Sequence, residues 1–308
     1  MTADGASAVV FPGMAPSNYA SVGAFMRADP YVRRRLAIAD EALGYSLIDR
    51  FRAEDRDYAE AGHIAFVVNC IALADRSTDR YGLDPRLCVG PSFGQMASIA
   101  FTGVLPFADL VRLTAEISRC EREYFAEHHR DLVTSFFFRT PEDGLRHVLE
   151  RMDTGGVWCD VSCFLGDGFY AVTLPEDRVE ALEAAIREVR GVPLYTMRPP
   201  VHCRAFGALR ERLRPVLERF PFAAPRIPLV SDQDGAVVDS AEGVAGLVLD
   251  GFVRPVRWND AAATMQREGI GTVCVPGPSS LFDRLSRRYF DVLAVNPETC
   301  SPGADRTA

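Results

Sequence analysis

Two rhythms alternate along the chain. Short apolar runs mark strands, and stretches with apolar residues every three or four positions mark helices. "SAVVFPG" (7–13) reads as a buried strand stopped by Pro12-Gly13. "DPYVRRRLAIADEALG" (29–44) reads as a helix closed by Gly44, and "AGHIAFVVNCIALADRSTDRYG" (61–82) as a long, mostly buried helix. "LCVG" (87–90) is a short strand, "QMASIAFTG" (95–103) has helical composition, and "FADLVRLTAEISRCEREYFAEH" (107–128) is an amphipathic helix. Near residue 130 the order changes. "LVTSFFFRT" (132–140) is strand-like and "PEDGLRHVLERM" (141–152) helical, while "VWCDVSCFL" and "GFYAVTL" form a hairpin around Gly166-Asp167-Gly168. "EDRVEALEAAIREVRG" (176–191) is a helix with acids first and arginines last, as the helix dipole prefers, and "VPLYTM" (192–197) is a closing strand. The order β-α-β-β-α-β predicts a ferredoxin-like subdomain over 130–198. Beyond it, "PRIPLVS" and "GTVCVPG" are short strands separated by helices. The predicted fold is therefore α/β, with a large domain split into 1–129 and 199–308 around the inserted subdomain. The closing stretch "NPETCSPGADRTA" is expected to fray.

The 308 residues, 48% hydrophobic and 25% charged, supply ample core for one large domain with an insert. A net charge of -8 argues against a nucleic-acid surface. The first residues lack a basic segment followed by an apolar core, and no apolar run is long enough to span a membrane. The eight cysteines form no C-x-x-C pair, and Cys159 and Cys163 lack a matching histidine pair. Reduced thiols, no metal and a cytoplasmic location are expected.

Candidate chemistry centres on Gly90-Pro91-Ser92-Phe93-Gly94, where a strand turns into a helix. Two readings are open there: a nucleophile elbow that projects Ser92 into a cleft, or an ordinary glycine turn. Serine needs a base. Of the five histidines, His128 and His129 sit in a charged run and read as solvated. His147 falls on the polar side of its helix. His202 follows Arg198-Pro199-Pro200-Val201, where the subdomain returns the chain, and either serves as base or is a loop histidine.

With these residues the chain resembles the malonyl-CoA:acyl carrier protein transacylase family and the acyltransferase domains of polyketide synthases. "VVFPGMA" resembles the family's F-P-G-Q-G, and "GPSFGQ" its G-H-S-x-G-E elbow. "TGVLPFADLVRL" is similar to the segment after the elbow, and "PPVHC" to the one bearing the catalytic histidine. "RPVRW" resembles N-P-V-x-W, and "VPGPSSLFDRLSRR" the closing G-P-G-x-x-L segment. All six are collinear. The resemblance implies an α/β-hydrolase-like large domain with a ferredoxin-like insert. It implies Ser92 as nucleophile, His202 as base, the backbone carbonyl of Arg257 orienting that base, and Met14 and Phe93 N–H groups as oxyanion hole. Met14 replaces a family glutamine. It further implies a ping-pong reaction without bound cofactor or metal, by a monomer. The acyl group would travel on the phosphopantetheine of coenzyme A or of an acyl carrier protein.

The departures fall in the pocket. Ile117 stands where malonyl-specific members carry the arginine that grips the carboxylate, unless the register slips and Arg112 or Arg119 serves. An isoleucine offers no such fork. Pro91 replaces the elbow histidine, Gln95 its acidic neighbour, and His63 a glutamine. The residues before the base read Pro199-Pro200-Val201, and the loop "CFLGDGF" is more apolar than the family's. The expectation is a discrete acyltransferase of polyketide (antibiotic) biosynthesis, moving a non-malonyl acyl group, aminoacyl for instance, to or between carrier proteins through acyl-Ser92. The alternatives are a carrier-protein hydrolase using the same pair, a malonyl-CoA:acyl carrier protein transacylase, and an inactive carrier-binding module. Carriers are acidic near their arm, so docking is expected on basic clusters: Arg284, Arg287 and Arg288 on one helix, and Arg187 and Arg190 on another, flanking the cleft mouth.

Overall fold

Ala8, Val9 and Val10 are consecutive and all buried, which a strand achieves only when both its faces are covered. They belong to β1 (Ala6–Val10), an interior strand of the main sheet. The computed structural model describes residues 6–15, 18–54 and 58–300; the last part of the tail expected to fray lies outside these. After β1 come α1 (Tyr19–Ala28), α2 (Pro30–Leu43), α3 (Leu47–Ala53) and α4 (Glu60–Tyr81). Then follow β2 (Pro85–Val89), α5 (Gly94–Phe101) and α6 (Phe107–Glu127). The middle of the chain forms β3 (Leu132–Phe138), α7 (Glu142–Thr154), β4 (Asp160–Gly166), β5 (Phe169–Pro175), α8 (Val179–Glu188) and β6 (Val192–Met197). The remainder forms α9 (Gly207–Leu217), β7 (Leu229–Val230), β8 (Val237–Val238), α10 (Ala241–Asp250) and β9 (Val256–Arg257). It ends with α11 (Trp258–Arg267), β10 (Ile270–Pro276), α12 (Leu281–Ser286) and β11 (Asp291–Val295).

The main sheet has the order β11-β10-β1-β2-β7-β8, parallel except for the β7–β8 pair. Ala8 pairs with Val273 on one side and Leu87 on the other. Alternate residues serve two cores. Val9, Cys88 and Cys274 pack with α4, whose residues 61–74 are continuously buried. Ala8, Val10, Val89 and Val275 pack instead with Trp258, Met265 and Phe282 from α11 and α12. Local signals agree with these ends. Asp29 caps α2 with Pro30 behind it, and Gly44 closes that helix in the left-handed region.

The second sheet has the order β6-β3-β5-β4-β9. Its first four strands with α7 and α8 make the ferredoxin-like pattern, and β4 and β5 form the hairpin read around Asp167. Phe137 faces α7 and α8, while Phe136, Cys163, Leu165 and Ala171 face the main sheet. The fifth strand, β9, pairs parallel with β4, Cys163 opposite Val256. Thus a segment from the second half of the large sheet region extends the small one.

Candidate active site

The turn after β2 holds Ser92 at φ 56°, a left-handed backbone that non-glycine residues rarely adopt. Its glycines are required by space. A Cβ on Gly90 would lie 2.3 Å from the Gly94 carbonyl oxygen, and one on Gly94 would lie 2.4 Å from that of Phe11. The elbow is therefore pressed against the end of β1. Ser92 N–H donates to Asp232 Oδ2 at 2.7 Å, and Gln95 Nε2 donates to Oδ1 of the same carboxylate at 2.8 Å. Asp232 is buried just after β7. Burial pushes its carboxyl up to about 6, against the lowering effect of those two donors.

His202 also has a left-handed backbone, φ 52°. Its neighbours are tied to both halves of the molecule. Val201 N–H donates to Thr134 Oγ1 on β3 at 3.0 Å, and Cys203 N–H to the Phe252 carbonyl after α10 at 3.1 Å. Thr134 is held in a buried hydroxyl row, Thr134–Thr173–Ser162, with 2.7 Å at each step. The imidazole Nδ1 lies 2.6 Å from the Gly251 carbonyl, and Nε2 lies 2.7 Å from Ser92 Oγ. A carbonyl only accepts, so Nδ1 carries the proton and Nε2 is free to accept from the serine. Burial lowers the His202 pKa to about 4, although the Gly251 bond opposes this, so the ring is neutral at pH 7.

The carbonyl on His202 is thus Gly251's, not that of Arg257. Gly251 caps α10, where carbonyls have lost their intrahelical donors. Arg257 lies in β9 with its N–H on the Asp232 carbonyl and its guanidinium over Phe164.

Ser92 and His202 open into a cavity of about 150 Å³ between the two sheets. Met14, Phe93, His63, Gln95, Ile117, Pro200 and Val201 all line it. Among the described residues neither the Phe93 nor the Met14 N–H is taken by another acceptor. Pro91 does not line the cavity; it is buried in the turn, accepting from Gly94 N–H. His63 packs against Phe93 with the ring planes tilted by 33° and bonds Ser118 Oγ through Nδ1 at 2.7 Å, and burial lowers its pKa to about 4. It is at once a satisfied core histidine and a neutral piece of cavity wall. Arg112 and Arg119 do not reach the cavity: they pair with Asp109 and Glu60. No arginine or lysine lines it among the described residues.

At the surface the expected clusters are corrected. The helix α12 ends at Ser286, so Arg287 and Arg288 lie beyond it, paired with Asp283 and Asp167. Arg187 pairs with Glu183, and α8 packs on the sheet face turned away from the cavity, so Arg187 and Arg190 do not rim it. Arg284 makes no ion pair among the described residues. His129 is not solvated as expected; it bonds Tyr124 Oη and packs on Phe206, whereas His128 and His147 are exposed.

A domain model described as the VinK acyltransferase small domain matches residues 136–197. A malonyl CoA-acyl carrier protein transacylase of Escherichia coli K12 is 23% identical over 94% of both chains, and one of Bacillus subtilis 22% over 95% and 94%. Over nearly its whole length the chain is similar to malonyl-CoA:acyl carrier protein transacylases. Like the relatives it matches, it is an acyltransferase. An acyl-carrier-protein S-malonyltransferase of Burkholderia pseudomallei superposes with a TM-score of 0.84 at 20% identity, covering 96% of this chain and 97% of that one. A malonyl-transacylase solved in complex with a type II polyketide synthase acyl-carrier protein gives 0.83 at 22% identity, covering 96% and 98%. The sequence had not pointed to Asp232, Gly251 or the hydroxyl row. Only Asp232 carried a signal, an acid at the end of the apolar run "PLVSD".

Among the described residues no set of His, Cys, Asp and Glu is placed to hold a metal ion, all eight cysteines are free, and no helix is long and apolar enough to cross a membrane.

Proposed function

We propose that Ser92 carries the acyl group between two thioesters. In this reading Ser92 Oγ attacks the thioester carbonyl while its proton passes to His202 Nε2. The oxyanion develops against the N–H groups of Phe93 and Met14. The carbon–sulfur bond breaks and the leaving sulfur takes the proton from His202. A second thiol then gives its proton to Nε2 and attacks the ester, and Ser92 recovers its hydroxyl proton. The thiols are those of phosphopantetheine, on an acyl carrier protein or coenzyme A, by analogy with the relatives' names. The single observation that carries this is the chain Ser92 Oγ–His202 Nε2 with Nδ1 on the Gly251 carbonyl.

The acyl group, we propose further, is not malonyl, and the assembly served is polyketide biosynthesis. Ile117 is buried on the cavity wall, and none of the described lining residues supplies a cation for a free carboxylate. Placing a carboxylate against it would cost several kcal/mol. The test is mass spectrometry of the intact protein after exposure to acyl thioesters. The native protein should gain one acyl group and lose it to a carrier thiol, Ser92→Ala should gain none, and His202→Ala should load orders of magnitude more slowly. Loading of Ser92→Ala at the native rate would contradict the mechanism. Loss of the acyl group to water as fast as to carrier would make the protein a hydrolase.

A further inference from the structure

The turn after β7 faces two ways. Asp232 accepts from the Ser92 N–H at 2.7 Å, and its neighbour Gln233 donates from Nε2 to the Leu247 carbonyl at 2.8 Å. Leu247 lies in the last turn of α10, and its carbonyl also accepts from the Gly251 N–H at 3.0 Å. Gly251 in turn holds His202 through its own carbonyl. The contacts close a circuit, from Ser92 Oγ through His202, Gly251, Leu247, Gln233 and Asp232 back to the Ser92 N–H. Gln95 braces it across the middle: its Nε2 donates to Asp232, and a Cβ added to Gly251 would lie 3.3 Å from its Oε1. The turn itself is pinned, with Gln233 N–H on Ser231 Oγ and Arg257 N–H on the Asp232 carbonyl. Gln233 is 3% exposed and does not line the cavity. The Leu247 carbonyl already has a donor in Gly251 N–H, so the Gln233 bond is not needed to satisfy it. What the bond adds is a fixed distance between the end of α10 and the elbow.

We infer that Gln233 is a positioning residue for transfer at Ser92: it fixes the end of α10, and with it the Gly251 carbonyl that aims His202 Nε2 at the serine. Asp232, next to it, sets the serine backbone, so one turn places both nucleophile and base. This rests on the acyl-Ser92 reading above and adds to it a residue that touches neither the substrate nor the reacting atoms. A displacement of about 1 Å between reacting groups is enough to cost on the order of a hundredfold in rate.

The test is acylation of Ser92 by hexanoyl or malonyl pantetheine, whichever loads the native protein faster, followed by intact mass from about pH 6 to about pH 9. Gln233→Leu keeps the bulk and removes the donor. It should lower the maximal rate by roughly tenfold to a hundredfold and leave KM within about twofold, because the cavity wall is untouched. Gln233→Glu supplies the readout that a purely structural amide would not move. Its carboxyl donates to the Leu247 carbonyl while protonated and repels it once ionised, and burial beside Asp232 and Asp234 raises its pKa. Asp250, on the same helix end, is paired with Arg210. Gln233→Glu should therefore outrun Gln233→Leu near pH 6 and lose that advantage toward pH 9, a fall absent from the native protein. A native maximal rate in Gln233→Leu, or a Gln233→Glu protein no faster than Gln233→Leu near pH 6, would overturn the assignment. Should Gln233→Leu fail to fold, the Gln233→Glu profile decides alone: the fall supports the role and a native-like profile ends it. Ser92→Ala separates the two readings. If it loads like the native protein, the acyl-Ser92 mechanism itself fails; if it does not load while Gln233→Leu loads at the native rate, only the role of Gln233 falls.

Discussion

Ser92 and His202 both sit in left-handed backbone, which costs of order 1–3 kcal/mol each and persists only where the surroundings enforce it. Asp232 supplies much of that enforcement at Ser92, because its carboxylate accepts from the Ser92 N–H. The same carboxylate is a stability liability at neutral pH. Its folded pKa, about 6, lies above the ordinary 3.8, so the folded state binds more protons between those values and stability falls as pH rises through them. Asp232→Asn keeps an acceptor for Ser92 N–H, with the Gln95 amide turned over. The variant should gain on the native protein as pH rises from about 4 to about 6, by up to about 3 kcal/mol. Chemical denaturation on either side of this window measures the difference; an equal gap at both pH values would contradict it. For His202 the sign is opposite. Its pKa is lowered to about 4, so the neutral, proton-accepting ring should persist across the mildly acid range. Acylation of Ser92 should show no break near pH 6.5, the ordinary value for histidine. A half-maximal rate at that pH would contradict the burial account.

At the scale of elements, much was legible and the reason is local. The apolar rhythm of 61–82 becomes the buried run of α4, and the pattern of 132–197 becomes β3 through β6 with their two helices. What stayed hidden depends on contacts between distant segments. The two residues of β9 have no strand signature and are defined only by β4 beside them. The Gly251 carbonyl is backbone, so no side chain announces it. The hydroxyl row in β3, β5 and β4 belongs to the same hidden class. Thr134→Val would leave Val201 N–H without its acceptor, at a cost of about 1–3 kcal/mol. It should also slow acylation, since the chain carrying His202 loses its tie to β3. Unchanged acylation with lowered stability would show that the row serves folding alone.

On the scale of the whole molecule, the two sheets meet at the cavity, and the acidic chain must still receive a carrier if the proposed transfer holds. Arg284 is the remaining candidate for that contact, exposed on α12, whose Leu281 and Phe282 line the cavity. Arg284→Glu should weaken transfer to an acidic carrier at low salt and matter less at high salt, while leaving loading from a small pantetheine thioester nearly unchanged. Equal loss with both donors would point to the pocket rather than to docking.

The central claim, a proposal, is that Ser92 and His202 carry acyl transfer while the pocket around Ile117 does not take a malonyl carboxylate. Equal concentrations of malonyl and hexanoyl pantetheine thioesters, offered together to the native protein, test it most directly. The mass of the acyl group on Ser92 reports the winner. The account predicts hexanoyl over malonyl by roughly tenfold to a hundredfold, the worth of a charge-assisted pair that Ile117 cannot make, and a shift toward malonyl in Ile117→Arg. A native protein that loads mainly malonyl would contradict it.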